Sequence, residues 1–164
     1  MSNAVGTTLE GKKKQLGGKY LTFRLAGEEY GLEILRVREI IGMMDITPVP
    51  RTPTFVLGVI NLRGKVIPVT DLRQKFSMPA AERTPLSCII VADVGKIEMG
   101  ILVDSVSEVL NIDAERIDEP PAFGLEVNTD FILGMGKTSE RVTILLDISK
   151  VITGDEVAAL GNMA

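Results

Sequence analysis

Few residues in this chain have chemical potential. Histidine is absent, which removes the commonest general base and the commonest neutral metal ligand together. The one cysteine, Cys88, lies in the apolar run Leu86-Ser87-Cys88-Ile89-Ile90-Val91, with no basic neighbour in sequence. It reads as a buried structural thiol rather than a nucleophile. A lone thiol excludes an intrachain disulfide, and without His it excludes a conventional zinc cluster. Gly134-Met135-Gly136-Lys137-Thr138-Ser139 imitates the end of a phosphate-binding loop, but the motif's leading glycine would fall on Phe131. The sequence then runs into β-branched Val142-Thr143-Ile144 rather than a helix, so a hairpin turn is the better reading. Asp71 and Asp147 each precede a short helical stretch and read as N-caps, not as an acid–base pair. These residues predict no catalysis, no metal and no cofactor.

Arg63 is more informative. In Asn61-Leu62-Arg63-Gly64 it follows one β-rich run and precedes another, which puts it at or beside a hairpin tip.

The elements that must position these residues are mostly strands. Leu21, Phe23 and Leu25 alternate with Thr22 and Arg24 as in a half-buried strand. Ala26 to Glu29 forms a turn, and Tyr30 to Ile34 returns as a second strand. Val37, Ile40 and Ile41 continue as a helical turn or third strand, until Pro48, Pro50 and Pro53 interrupt regular structure. Val56–Leu62 and Val66–Val69 are two further strands, and Leu72–Phe76 a short helix.

The pattern then recurs. Gly31 aligns with Gly100 at an offset of 69, carrying Leu32 onto Ile101, Ile34 onto Val103, Val37 onto Val106, Glu39 onto Glu108 and Ile40 onto Val109. Phe55 aligns with Phe131 at an offset of 76, carrying Leu57-Gly58 onto Leu133-Gly134, Val66 onto Val142 and Asp71 onto Asp147. Arg63 falls on Ser139, so the fold does not require the arginine. Two five-stranded units follow, with Leu32, Ile34, Ile101 and Val103 buried at equivalent places. Each unit has roughly 60 residues, marginal for an independent core, so the two are expected to close into barrels and pack together.

The chain has 164 residues, 45% apolar and 24% charged, with a net charge of −4. That balance and the scarcity of aromatic residues argue against nucleic-acid binding. No apolar run is long enough for a membrane span, and no signal pattern opens the chain, so a cytoplasmic location is expected. Residues 1–18, with the charge run Lys12-Lys13-Lys14, read as a solvated tail, and 153–164 as a helical turn or tail.

From Tyr30-Gly31-Leu32-Glu33-Ile34-Leu35-Arg36-Val37-Arg38-Glu39-Ile40, through Phe55 to Leu72, and again from Gly100 to Leu110, the chain resembles the CheW coupling-protein family. The likeness covers about residues 19–152. It implies an all-β fold of two intertwined five-stranded SH3-like barrels, near residues 20–76 and 86–152, with strands open to exchange between them. It implies no catalysis and no cofactor. The implied partners are the cytoplasmic tips of methyl-accepting chemoreceptors and the regulatory domain of the histidine kinase CheA. The isolated chain is expected to be a monomer. Val37, Glu39 and Arg63 match receptor-binding positions of the first barrel, and Gly100, Val106 and Val109 those of the second. Kinase-binding residues are not assigned. Glu39 and Arg63 are expected to form an ion pair on the rim of a receptor groove. Three alternatives remain open on the sequence: a coupling module serving surface motility or another output, a module cut from a kinase or fusion, and a small-molecule-binding double barrel. The last predicts a deep closed pocket with convergent polar groups.

Overall fold

A computed structural model describes residues 16–120 and 130–152. The tails read at 1–18 and 153–164 lie largely outside the described residues. Leu16 packs on a buried cluster, and strand β1 (Gly18–Leu25) begins at Gly18.

Ten strands follow β1 among the described residues: β2 (Glu28–Glu33), β3 (Val37–Gly42), β4 (Val56–Leu62), β5 (Lys65–Asp71), β6 (Cys88–Val94), β7 (Ile97–Val103), β8 (Ser105–Ile112), β9 (Ile117–Asp118), β10 (Ile132–Lys137) and β11 (Val142–Leu146). They make two sheets, ordered β3-β6-β7-β5-β4 and β8-β1-β2-β11-β10-β9. We call these barrel 1 and barrel 2. No described helix is long and apolar enough to cross a membrane.

Each barrel closes by the same device. The chain leaving β3 returns to β4 through Thr47, whose N–H and carbonyl bond Val59 at 2.8 and 2.9 Å. The chain leaving β8 returns through β9, which pairs with β10. The second return is longer, so barrel 2 has six strands where five are expected. Gly58 and Gly134 let the returning chain pass. A Cβ on Gly58 (φ +145°) would lie 2.1 Å from the Thr47 carbonyl oxygen, and one on Gly134 would lie 2.6 Å from Ile117 Cγ2.

The repeat holds down to strand register. Leu21 faces Val109 as Ile90 faces Ile40, and both pairings carry a bulge one step later. Gly31 faces Leu145 as Gly100 faces Val69, in the two parallel pairings. The Asp71 N–H donates to the Phe55 carbonyl, and the Asp147 N–H to the Phe131 carbonyl, each at 2.8 Å. Both aspartates cap as read: Asp71 Oδ1 accepts from the Arg73 N–H at 2.9 Å, and Asp147 Oδ1 from the Ser149 N–H at 3.1 Å.

Neither barrel is built from one half of the chain. Hairpin β1–β2 sits in barrel 2 and hairpin β6–β7 in barrel 1. The exchange explains their composition. One face of each hairpin lines its own barrel: Ile89 and Val91 in barrel 1, Tyr20 in barrel 2. The other face, with Leu21, Phe23, Ile90 and Ala92, joins one cluster shared by both barrels. A strand covered on both faces needs a continuous apolar run, which Ile89-Ile90-Val91-Ala92 supplies. Burying a Leu, Ile or Phe contributes about 1.5–3 kcal/mol, so this shared layer is a main source of stability.

Leu32, Ile101 and Val103 are buried as expected, but Ile34 is only half-buried. The chain turns out of β2 into a 3-10 turn, Ile34–Arg36, whereas the matching Val103 still belongs to β7. Ile34 packs against the edge of the shared cluster instead.

Gly58→Ala should destabilise the protein by about 3 kcal/mol or more, the class of strained backbone substitutions. Gly64→Ala is the contrast. Its φ is also positive, at +87°, but nothing lies within 4 Å of the added Cβ, so about 1 kcal/mol is expected. Urea titrations of both variants check the difference.

Candidate docking surface on the barrel rim

Arg63 occupies the tip of the β4–β5 hairpin. Leu62 pairs with Lys65, leaving Arg63 and Gly64 as the two-residue loop. Both have positive φ, +53° and +87°, which is the type I′ arrangement that matches strand twist. Arginine is an unusual choice at φ > 0. The Asn61 side chain supports the turn, its Oδ1 accepting from the Gly64 N–H at 2.8 Å.

Glu39 reaches the same place from β3. The Arg63 guanidinium grips its carboxylate with both ends: Nη2 on Oε1, and Nη1 on Oε2 at 3.4 Å. The pair joins β3 to the turn between β4 and β5, on the side where barrel 1 closes. The Arg63 side chain is 70% exposed, so the pair adds little to stability, but it holds the fork in one orientation. Its hydrogen bond to Glu39 raises the already high Arg63 pKa, and the charge is permanent.

The remaining candidates are placed differently. Val37 and Val106 occupy matching repeat positions on β3 and β8, both half-buried against the shared cluster. Val109 is an exposed apolar residue on β8. Gly100 stands apart: it is buried on β7, in barrel 1 rather than barrel 2, because its hairpin is exchanged. A Cβ there would lie 2.8 Å from Ile89 Cγ2 and 3.2 Å from Val69 Cγ2. Gly100 therefore seats β7 against β5 and presents no side chain outward.

Ile40, the repeat partner of Val109, is also exposed. The sequence reading aligned it only as a structural position. An apolar residue recurring at the same outward place in both repeats was the signal that could have marked it.

Cys88 is half-buried rather than fully buried, because β6 begins there at the edge of the shared cluster. Burial pushes its thiol up, against a smaller opposing contact from the Val106 backbone. Lys137 closes strand β10, and the Thr138 N–H donates to the Arg141 carbonyl at 2.9 Å, so the loop resembling a phosphate site is a hairpin turn.

Two cavities bear on small-molecule binding. The larger, about 740 Å³, lies at one end of barrel 1, and its rim includes Leu35, which is 93% exposed. Its Arg38 and Lys65 are paired with its Asp93 and Glu98. These polar groups bond one another and do not converge on an interior space. The second, about 370 Å³, is mostly apolar, with Tyr30, Phe76, Met78, Phe131, Ile132 and Ile144 in its lining beside Lys75 and Ser77. Phe23, Tyr30, Phe76 and Phe131 form a row of stacked rings with centroids 5.4–6.2 Å apart. Among the described residues, no three His, Cys, Asp or Glu side chains are placed to hold a metal.

The comparisons with known proteins agree with this architecture. The family model for the CheW-like domain matches residues 19–156. The chemotaxis protein CheW of Klebsiella aerogenes is 40% identical over 149 residues, covering 91% of this chain and 90% of that one. Protein FrzA of Myxococcus xanthus is 30% identical, covering 82% and 84%. The crystal structure of the scaffolding protein TtCheW from Thermoanaerobacter tengcongensis superposes with a TM-score of 0.77 at 35% identity, covering 86% of this chain and 96% of that one. With its sheets, registers and family model in agreement, the chain belongs to the CheW-like family of chemotaxis scaffold proteins.

Proposed function

We propose that this chain couples the cytoplasmic tips of methyl-accepting chemoreceptors to the histidine kinase CheA without catalysing a reaction itself. The observation that carries the reading is the preset Arg63–Glu39 fork, exposed on the rim of barrel 1. A fixed guanidinium on a closed barrel serves recognition, because its planar donors can meet a partner's carboxylate or backbone carbonyl without first being ordered. Membership of the CheW-like family supports this class of partner. The protein works in the cytoplasm, recruited beneath the receptors.

In this reading Val37, Glu39, Arg63, Val106 and Val109 receive the receptor tip, a helical hairpin. Apolar residues take up the face of an amphipathic helix, and the arginine sets its register. Gly100 acts indirectly, by keeping β7 close to β5. The kinase regulatory domain takes surfaces at the barrel ends.

Arg63→Asn separates fold from function. Asparagine is favoured at this type I′ position, so the hairpin persists, while the fork to Glu39 is lost. Thermal unfolding should stay within a few degrees of the parent, or rise, while receptor-dependent CheA activation falls several-fold. Normal coupling by a well-folded variant would remove the proposed role of Arg63.

Purified protein alone should neither hydrolyse ATP nor accept phosphate from it. A coupled assay measures this directly. Turnover that survives further purification and scales with this protein would defeat the reading.

A further inference from the structure

Asp104 is the single residue between β7 of barrel 1 and β8 of barrel 2, and it holds both. Its backbone N–H donates to the Arg24 carbonyl on β1 at 3.1 Å. Its Oδ2 accepts from the Ala26 N–H in the β1–β2 turn at 2.9 Å, so two groups of barrel 2 meet at this residue. From barrel 1 comes Arg73, in the helical turn after β5. Its Nε donates to Oδ1 at 2.7 Å and its Nη2 to Oδ2 at 2.6 Å, a bidentate pair. The remaining guanidinium nitrogen donates to the Pro79 carbonyl at 2.8 Å. Only 17% of the Arg73 side chain and 33% of the Asp104 side chain are exposed. Hydrogen bonding from Arg73 holds the Asp104 carboxyl below the usual carboxylate range.

The repeat makes this clasp one-sided. At the same offsets, Asp104 corresponds to Leu35, Ala26 to Gly95 and Arg73 to Ser149. Leu35 is 93% exposed, and the Ser149 hydroxyl bonds Asp147 in its own turn. The shared apolar cluster is non-directional and tolerates small rotations of one barrel on the other. The bidentate ion pair does not. Three residues after Arg73 comes Phe76, which stacks between Tyr30 and Phe131 of barrel 2 and walls the apolar cavity there.

We propose that Asp104 is a positioning residue: by joining Arg73 to the β1–β2 turn it sets the angle between the two barrels. Its consequence for partner binding rests on the coupling reading above, but the angle itself is a property of the isolated chain.

The test is a spin-label distance measurement on the isolated protein. Nitroxides at Lys96→Cys, on the β6–β7 turn, and Glu140→Cys, on the β10–β11 turn, report barrel against barrel, with Cys88→Ser removing the native thiol. Asp104→Asn should widen the distance distribution roughly two-fold, as removing the bias between domain orientations does. Arg73→Lys, which keeps the charge and loses the fork, should widen it less, and Arg63→Asn not at all. An unchanged distribution in Asp104→Asn, even with a lowered unfolding temperature, overturns the proposal. If that variant does not fold, an unchanged distribution in Arg73→Lys overturns it instead. Receptor-dependent kinase activation is measured separately, so loss of the coupling reading would leave the distance result standing.

Discussion

The structure depends on two parallel strand pairings, β2 with β11 and β7 with β5. Each welds a hairpin from one half of the chain into the barrel of the other. The apolar layer between the barrels follows from that exchange. Each exchanged hairpin is covered on both faces, so one apolar cluster serves two barrels that would separately be marginal. Gly31 and Gly100 sit at the same step of these pairings, where a side chain would strike Leu145 or Ile89. The two barrels thus share one core, and each hairpin completes the sheet of one barrel while contributing to the cluster shared by both.

A core committed in this way leaves the surface free to carry recognition. Arg63 is held by a turn and one carboxylate, with no core contact, and its repeat counterpart is Ser139. The two barrels therefore share a framework but not a rim. The same asymmetry marks the junction, where Asp104 clasps one side and exposed Leu35 stands at the matching place. The repeat supplies the frame, and the differences between its two copies give each face its own chemistry.

Much of this was legible in the sequence. The offsets of 69 and 76 carry the order of the strand runs and both aspartate caps, because each is a local consequence of residue type. The Glu39–Arg63 pairing was legible because a hairpin tip and a family resemblance converged on it. The identity of strand partners was not. Alternation says which face is buried and not against what, so Gly100 belongs to barrel 1 although its sequence lies in the second half. Ile34 was misplaced because a 3-10 turn keeps an apolar residue half-covered without strand geometry. The Asp104–Arg73 clasp gave no local signal, since an aspartate and an arginine far apart in sequence show no periodicity.

Co-sedimentation of CheA with chemoreceptor-bearing membranes, with and without this chain, tests the central claim most directly. The account predicts that CheA pellets strongly only when receptor membranes and the chain are both present, and that the chain pellets with them. CheA retention that ignores the chain, or a chain that stays in the supernatant while CheA and receptors assemble, would contradict it.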